Sequence, residues 1–239
     1  MQAESAENNT WQSAWFDSVR SIAEPMWRGV EEKYTVEKVR LTDTAEECAA
    51  LEAMLEESKP PLPAGTDGLH YLLSTPFRYF SPTPTRFRSS GEKGIWYGAS
   101  SLRTACAELA YWRMRFVKDS AGLAKDKDGL RTTHVFYEAM VSGRAVDLMS
   151  APWITQREVW VHPSDYTGTQ ALAAAARQHD CEWIRYESVR DPGSHCAAVL
   201  EPAVFTGVQP LQSVNCVCKA SRDRVLFFPA GGDPMSWDY

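Results

Sequence analysis

Gly94-Ile95-Trp96-Tyr97 reads as a short strand that passes through Gly98 into a helix opening near Ser100 or Ser101, and this strand-to-helix unit constrains the chain most. Either serine can cap the helix, and Leu102, Cys106, Leu109, Trp112 and Phe116 recur at helical spacing. Such a stripe requires a sheet or another helix to pack against. Glu108 falls in mid-helix among Ala105, Ala107, Leu109 and Ala110. A carboxylate in such company needs a partner or a task.

The same unit sits inside a reversal of charge. From Arg78 to Arg115 the chain carries seven basic residues (Arg78, Arg86, Arg88, Lys93, Arg103, Arg113, Arg115) against two acidic ones, Glu92 and Glu108, although the whole chain is at −6. Guanidinium forks grip phosphate oxygens in pairs, so the stretch suits an anionic ligand.

At 239 residues and 44% hydrophobic content the chain can fill a sizeable core. The reading divides it into an N-terminal extension, 1–65, helical in character, and one catalytic domain, 66–239. An acidic balance argues against a general nucleic-acid binder. The opening MQAESAENNT is polar, and no stretch approaches the roughly 20 apolar residues of a membrane span, so a cytoplasmic protein is expected. The six cysteines (Cys48, Cys106, Cys181, Cys196, Cys216, Cys218) are scattered and read as reduced thiols. Cys216 and Cys218 lack the spacing of a zinc knuckle, and no metal is expected.

Residues 1 to about 40 are polar with isolated rings, Trp11, Trp15, Phe16 and Trp27, and read as a helix or two laid on the surface. The alternative is a partner-binding arm, since Trp favours interface hot spots. Asp43 and Glu46 have capping-box spacing ahead of a helix with Cys48, Leu51, Met54 and Leu55 on one face, ended by Lys59-Pro60-Pro61. Leu69 to Leu73 reads as a strand, Asp119 to Leu130 as an exposed loop, and Thr132 to Val141 with Ala145 to Leu148 as a hairpin turning at Ser142-Gly143. His134 reads as a packed core histidine. A helix over Gly168 to His179 precedes strands at Glu182 to Tyr186 and Cys196 to Leu200, joined by the polar loop 187–193. The tail reads as strands at Leu211 to Val217 and Val225 to Phe228, then a loose end. Short strands around a few helices make the class α+β.

Enzymes that break the bond between nicotinamide and ribose use a cation for pyrophosphate, an aromatic ring beside the nicotinamide and a carboxylate facing a ribose that becomes cationic. Arg78 or Arg86, Tyr97 and Glu108 supply these types. Taken singly each is ordinary: a surface cation, a core ring, half of an ion pair with Arg103 or Arg115. The chain contains no Gly-x-Ser-x-Gly, no Gly-x-Gly-x-x-Gly and no Walker pattern, which leaves serine hydrolase, Rossmann and ATP-binding readings unsupported.

Phe77-Arg78-Tyr79, Thr85-Arg86-Phe87, Gly94 to Ala99, Thr104 to Glu108 and Ile184 to Gly193 follow one another between about residues 69 and 205. In these blocks the chain resembles the RES domain toxins of bacterial toxin-antitoxin pairs, with Arg78, Glu108 and Ser188 similar to the Arg, Glu and Ser that name the family. The resemblance implies an ADP-ribosyltransferase-like split β core with flanking helices, and NAD as substrate rather than a bound cofactor. It implies a toxin that depletes NAD by hydrolysis or phosphorolysis, or alternatively transfers ADP-ribose to a protein. A non-enzymatic nucleotide-binding module is the third possibility. By the same likeness Arg78 and Arg86 hold the pyrophosphate, with Arg88 able to replace Arg86. Tyr79 and Tyr97 flank the nicotinamide ribose, Glu108 stabilises it and Ser188 closes the pocket. The implied partner is an Xre-like antitoxin that blocks the site, with no nucleic acid or membrane contacted directly and a homo-oligomer left open.

Overall fold

The computed structural model describes residues 11–32, 41–123 and 129–239, so the expected loop at 119–130 lies partly outside the described residues. An eight-stranded sheet runs in the order β1-β2-β5-β4-β3-β6-β7-β8. The strands are β1 (Arg20–Glu31), β2 (Trp96–Ala99), β3 (Leu130–Asp147), β4 (Trp183–Glu187), β5 (His195–Val199), β6 (Gln212–Ala220), β7 (Arg224–Pro229) and β8 (Met235–Asp238). A further β1–β3 pairing, from Arg20 opposite Ala145 to Glu31 opposite His134, closes the first five strands into a ring. β1 and β2 meet at one pair, Trp27 with Ala99, so the ring is split there.

The helices are α1 (Ala45–Glu57), α2 (Tyr71–Arg78), α3 (Leu102–Asp119) and α4 (Thr167–Gln178), with short helical turns between. Met26, Trp96, Tyr137, Trp183, Ala197 and Val199 are fully buried inside the ring, where Leu73 and Phe77 of α2 join them. At one end of the ring the Arg185 guanidinium meets Glu24 at 3.1 Å and Asp147 at 3.2 Å. Outside the ring, Cys106, Ala110, Met114 and Val117 of α3 pack on the sheet with Phe136, Cys216, Cys218 and Phe227. The α+β class is as expected.

Several local expectations give way to tertiary packing. Residues 20–31 are a strand, paired with β3 along its length, where the sequence suggests a surface helix. Ile22, Met26 and Val30 stand four apart, a spacing that fits one helix face and one strand face equally well. α1 is helical but buries no residue, and Met54 is exposed. Its cap is one residue on from the expected box: Thr44 Oγ1 accepts from Glu47 N, and the Glu47 carboxylate accepts from Asp43 N.

The expected strand at Leu69–Leu73 is the start of α2, capped by His70, whose Nδ1 accepts from Leu72 N. The expected hairpin at Ser142-Gly143 is absent, since β3 runs straight through. Gly143 serves close approach instead, because a Cβ there would stand 2.5 Å from the Glu182 carboxylate. On α3, Trp112 and Phe116 are exposed and the buried face is the one carrying Cys106, Ala110 and Met114. The tail expected to be loose forms β8 against β7.

All six cysteines are free, in keeping with reduced thiols. His134 is buried as expected, with Arg113 Nη2 donating to its Nε2 at 3.1 Å. Burial, and then the Arg113 charge, push its pKa down to about 4, against the opposing pull of Glu31. The unfolded chain therefore takes a proton near pH 6.5 that the folded chain refuses until about 4, so stability falls as pH drops through that window. Urea unfolding at pH 7.5 and 4.5 checks this: the parent is expected to lose more stability on acidification than His134→Gln.

Candidate functional site

A cavity of about 440 Å³ opens where the ring is split, between α3 and the outer face of the strands. Ser101 starts α3 by accepting from Thr104 N, as the sequence suggested. That cap fixes the helix phase, which turns Thr104 and Glu108, one turn apart, toward the loop after β4. Thr104 Oγ1 donates to Asp191 at 2.8 Å, and Glu108 Oε1 accepts from the Ser188 hydroxyl at 2.6 Å.

Ser188 is 1% exposed and lies behind Glu108 rather than closing the cavity over a ligand. Its oxygen accepts from the backbone N–H of Asp191 at 3.1 Å and of Arg190 at 3.3 Å, which polarises the hydroxyl it offers to Glu108. Cys196 Sγ lies 3.9 Å from the same Oε1. Burial, and then the Glu108 charge, hold that thiol far above its usual pKa, so it stays protonated. Glu108 Oε2 has no hydrogen-bond partner among the described residues, in a side chain that lines the cavity.

Three guanidiniums line the cavity with Glu108: Arg28, Arg86 and Arg190. Arg86 Nη1 donates to the carbonyls of Trp160 and His162, both at 2.9 Å, and its guanidinium lies 4.8 Å from the Tyr166 ring. The remaining donors, Nε and Nη2, are uncommitted among the described residues. α4 holds this loop in place: Thr169 Oγ1 donates to the Arg86 carbonyl, and Gln170 Nε2 to those of Thr85 and Arg88. Arg190 stacks on Tyr111 at 3.4 Å.

Tyr97 reaches the cavity with its hydroxyl fixed by Thr85 Oγ1 at 2.7 Å and by Phe87 N at 3.2 Å. Burial pushes the phenol pKa up and keeps it neutral. Arg28 bridges the split itself, donating from Nη1 to the Tyr97 carbonyl at 2.9 Å. It thereby stands where a strand-to-strand hydrogen bond would otherwise be.

Of the six residues named from the sequence, the structure gathers Arg86, Tyr97, Glu108 and Ser188. Arg78 is elsewhere and does not line this cavity. Its Nη1 pairs with Glu56 at 2.6 Å and its Nε donates to the Pro60 carbonyl, tying α2 to α1. Tyr79 lines a neighbouring cavity, and Arg88 lines that one too. Two cations that the sequence reading does not assign also line the cavity: Arg28, in the segment expected to be a surface helix, and Arg190, inside the Ile184 to Gly193 block. The alternation of Met26, Arg28 and Val30 on one strand face is the signal that finds the first. Among the described residues no cluster of His, Cys, Asp and Glu has the arrangement of a metal site.

A model of the RES domain matches residues 62–218, well over half of the chain. The chain belongs to the RES domain family. β1 lies upstream of the RES match and β7 and β8 beyond it, yet all three belong to the same sheet. Among solved structures, this RES domain protein is similar to a chain of the crystal structure of the M. tuberculosis MbcT-MbcA toxin-antitoxin complex. That likeness has a TM-score of 0.49 and 12% identity over 84% of this chain and 89% of that one. No curated protein matches.

Proposed function

We propose that this RES domain protein cleaves the nicotinamide–ribose bond of NAD and acts as the toxin of a toxin-antitoxin pair. The observation that carries the reading is the Glu108 carboxylate, pinned through one oxygen by Ser188 and free at the other, in a cavity bearing three guanidiniums. As the C1′–N bond breaks, its electron pair goes to the pyridinium nitrogen, nicotinamide leaves neutral and the ribose becomes an oxocarbenium ion. Glu108 offers that cation a fixed negative charge and accepts from the ribose hydroxyls. No acid is required for the leaving group, so orientation and electrostatics suffice. Arg28, Arg86 and Arg190 are the cations available to the pyrophosphate, and Tyr97 the ring available to the nicotinamide riboside. Water or phosphate then adds at C1′ and sheds a proton to solvent.

Membership of the family supports an antitoxin that blocks the site as the partner. Trp112, 55% exposed on the cavity rim, gives such a partner an apolar anchor.

The test is release of nicotinamide from NAD by purified protein with and without inorganic phosphate, the sugar product being identified in each case. Labelled NAD in a cell lysate separates the alternative, since a transferase labels a protein and a glycohydrolase does not. A pair of variants discriminates between the two arginines. Arg28→Ala is expected to lower kcat/KM for NAD by at least about tenfold, as loss of a charge-assisted contact does. Arg78→Ala is expected to leave it within about twofold. The reverse result would restore Arg78 to the site.

A further inference from the structure

A second cavity, of about 490 Å³, shares Arg28, Thr85 and Tyr97 with the first. Nothing in the chemistry at Glu108 uses it. One wall is the face of α2 that carries Tyr71 and Thr75, continued by Tyr79, the extended residue just past the helix end. The end of β1 adds Arg28 and Val30, which share one strand face, with Glu32 just past the strand, and Arg88 also lines the cavity. Tyr71 and Tyr79 are 66% and 40% exposed.

The two guanidiniums are incompletely used. Arg28 Nη1 donates to the Tyr97 carbonyl and Arg88 Nη2 to the Thr83 carbonyl at 2.7 Å. In both residues the Nε is buried without a hydrogen-bond partner. Buried N–H donors are rarely left unpaired, and arginines so placed accept an anion readily. Tyrosine rings and aliphatic side chains around two such cations suit a flat heterocycle that carries phosphate.

We propose that this second cavity binds the purine nucleoside end of the dinucleotide whose nicotinamide end meets Glu108, with the pyrophosphate crossing the shared wall at Arg28. The proposal rests on the reading of NAD as substrate. The purine stacks on Tyr79, the adenylate phosphate meets Arg88, and Glu32, just past the end of β1, accepts from the ribose hydroxyls. Each end of the molecule thus has its own chamber, and a substrate without the adenylate fills one of them.

Nicotinamide mononucleotide is that substrate, and the experiment compares it with NAD. Tyr79→Ala is expected to lower kcat/KM for NAD by about tenfold, the effect of losing one base–aromatic stack, and to leave that for the mononucleotide within about twofold. Arg88→Gln is expected to follow the same pattern. Equal losses on both substrates, or no loss on NAD, overturn the proposal. Calorimetric titration with adenosine monophosphate keeps the two readings apart. If the parent releases nicotinamide from neither substrate, the reading of the first cavity fails; adenosine monophosphate that binds the parent and binds Tyr79→Ala about tenfold more weakly still upholds the second. Absence of binding to the parent refutes it.

Discussion

Glu108→Gln is expected to slow nicotinamide release from NAD by about two to three orders of magnitude, the usual loss when one electrostatic stabiliser of a developing charge is removed. The substitution keeps the side chain's length and its amide oxygen can still accept from the Ser188 hydroxyl, so the 188–194 loop keeps its anchor. On the proposed mechanism, what is lost is the negative charge facing the ribose as the C1′–N bond opens. Binding of NAD is expected to change little, because the charge it stabilises forms only in the transition state. The measurement is kcat by nicotinamide release, with urea unfolding to show that stability stays within about 1 kcal/mol, the ordinary range for a partly exposed substitution. A variant as fast as the parent would remove Glu108 from the chemistry. In a bacterial host, induced parent protein is expected to arrest growth and the Gln variant to leave growth unimpaired.

Trp96→Ala is expected to destabilise the fold by about 3–5 kcal/mol, the range for truncating a large buried aromatic. Trp96 is fully buried in the ring, and its Nε1 donates to the Tyr137 hydroxyl at 2.9 Å. That hydroxyl in turn donates to the Leu72 carbonyl at 2.6 Å, so one chain of bonds joins β2, β3 and α2. Truncation leaves a void against Phe205, whose ring centroid lies 5.3 Å away, and leaves the Tyr137 oxygen without its donor. Arg28 lies 5.8 Å over the same indole, so the change also loosens a wall shared by both cavities. At about 2–4 °C per kcal/mol for a chain of this size, the thermal midpoint should fall by roughly 6–20 °C. Trp96→Phe should lose less, since it keeps most of the apolar volume. A loss below about 1 kcal/mol for Trp96→Ala would show that α2 is held by other contacts.

These two residues were unequally legible before the fold was known. Glu108 stood out because a charge interrupts a run of small residues on an amphipathic helix. Its partner Ser188 and the 187–193 loop came from a block of the family's pattern; Ser188 sits behind the Glu108 carboxylate and is bonded to it, whereas the resemblance implies a residue that closes the pocket. Arg78 failed because a guanidinium on a long stem goes to whichever oxygen the fold brings within reach. For Arg78 those oxygens belong to Glu56 and Pro60. Arg28 lies in a segment whose polar character and isolated rings suggest a surface helix, and only pairing with β3 makes that run a strand.

The sequence by itself determined the elements that depend on near neighbours: the capped helix bearing Glu108, the short strand bearing Tyr97, the loop bearing Ser188 and the family to which they belong. Tertiary structure alone decided that β1 closes a ring with β3, that the ring splits beside Tyr97, and that Arg28 rather than Arg78 faces the cavity. The physical reason is range. Helix caps and alternation act over a few residues, whereas β1 and β3 are joined by backbone hydrogen bonds between segments more than a hundred residues apart, which no local pattern encodes.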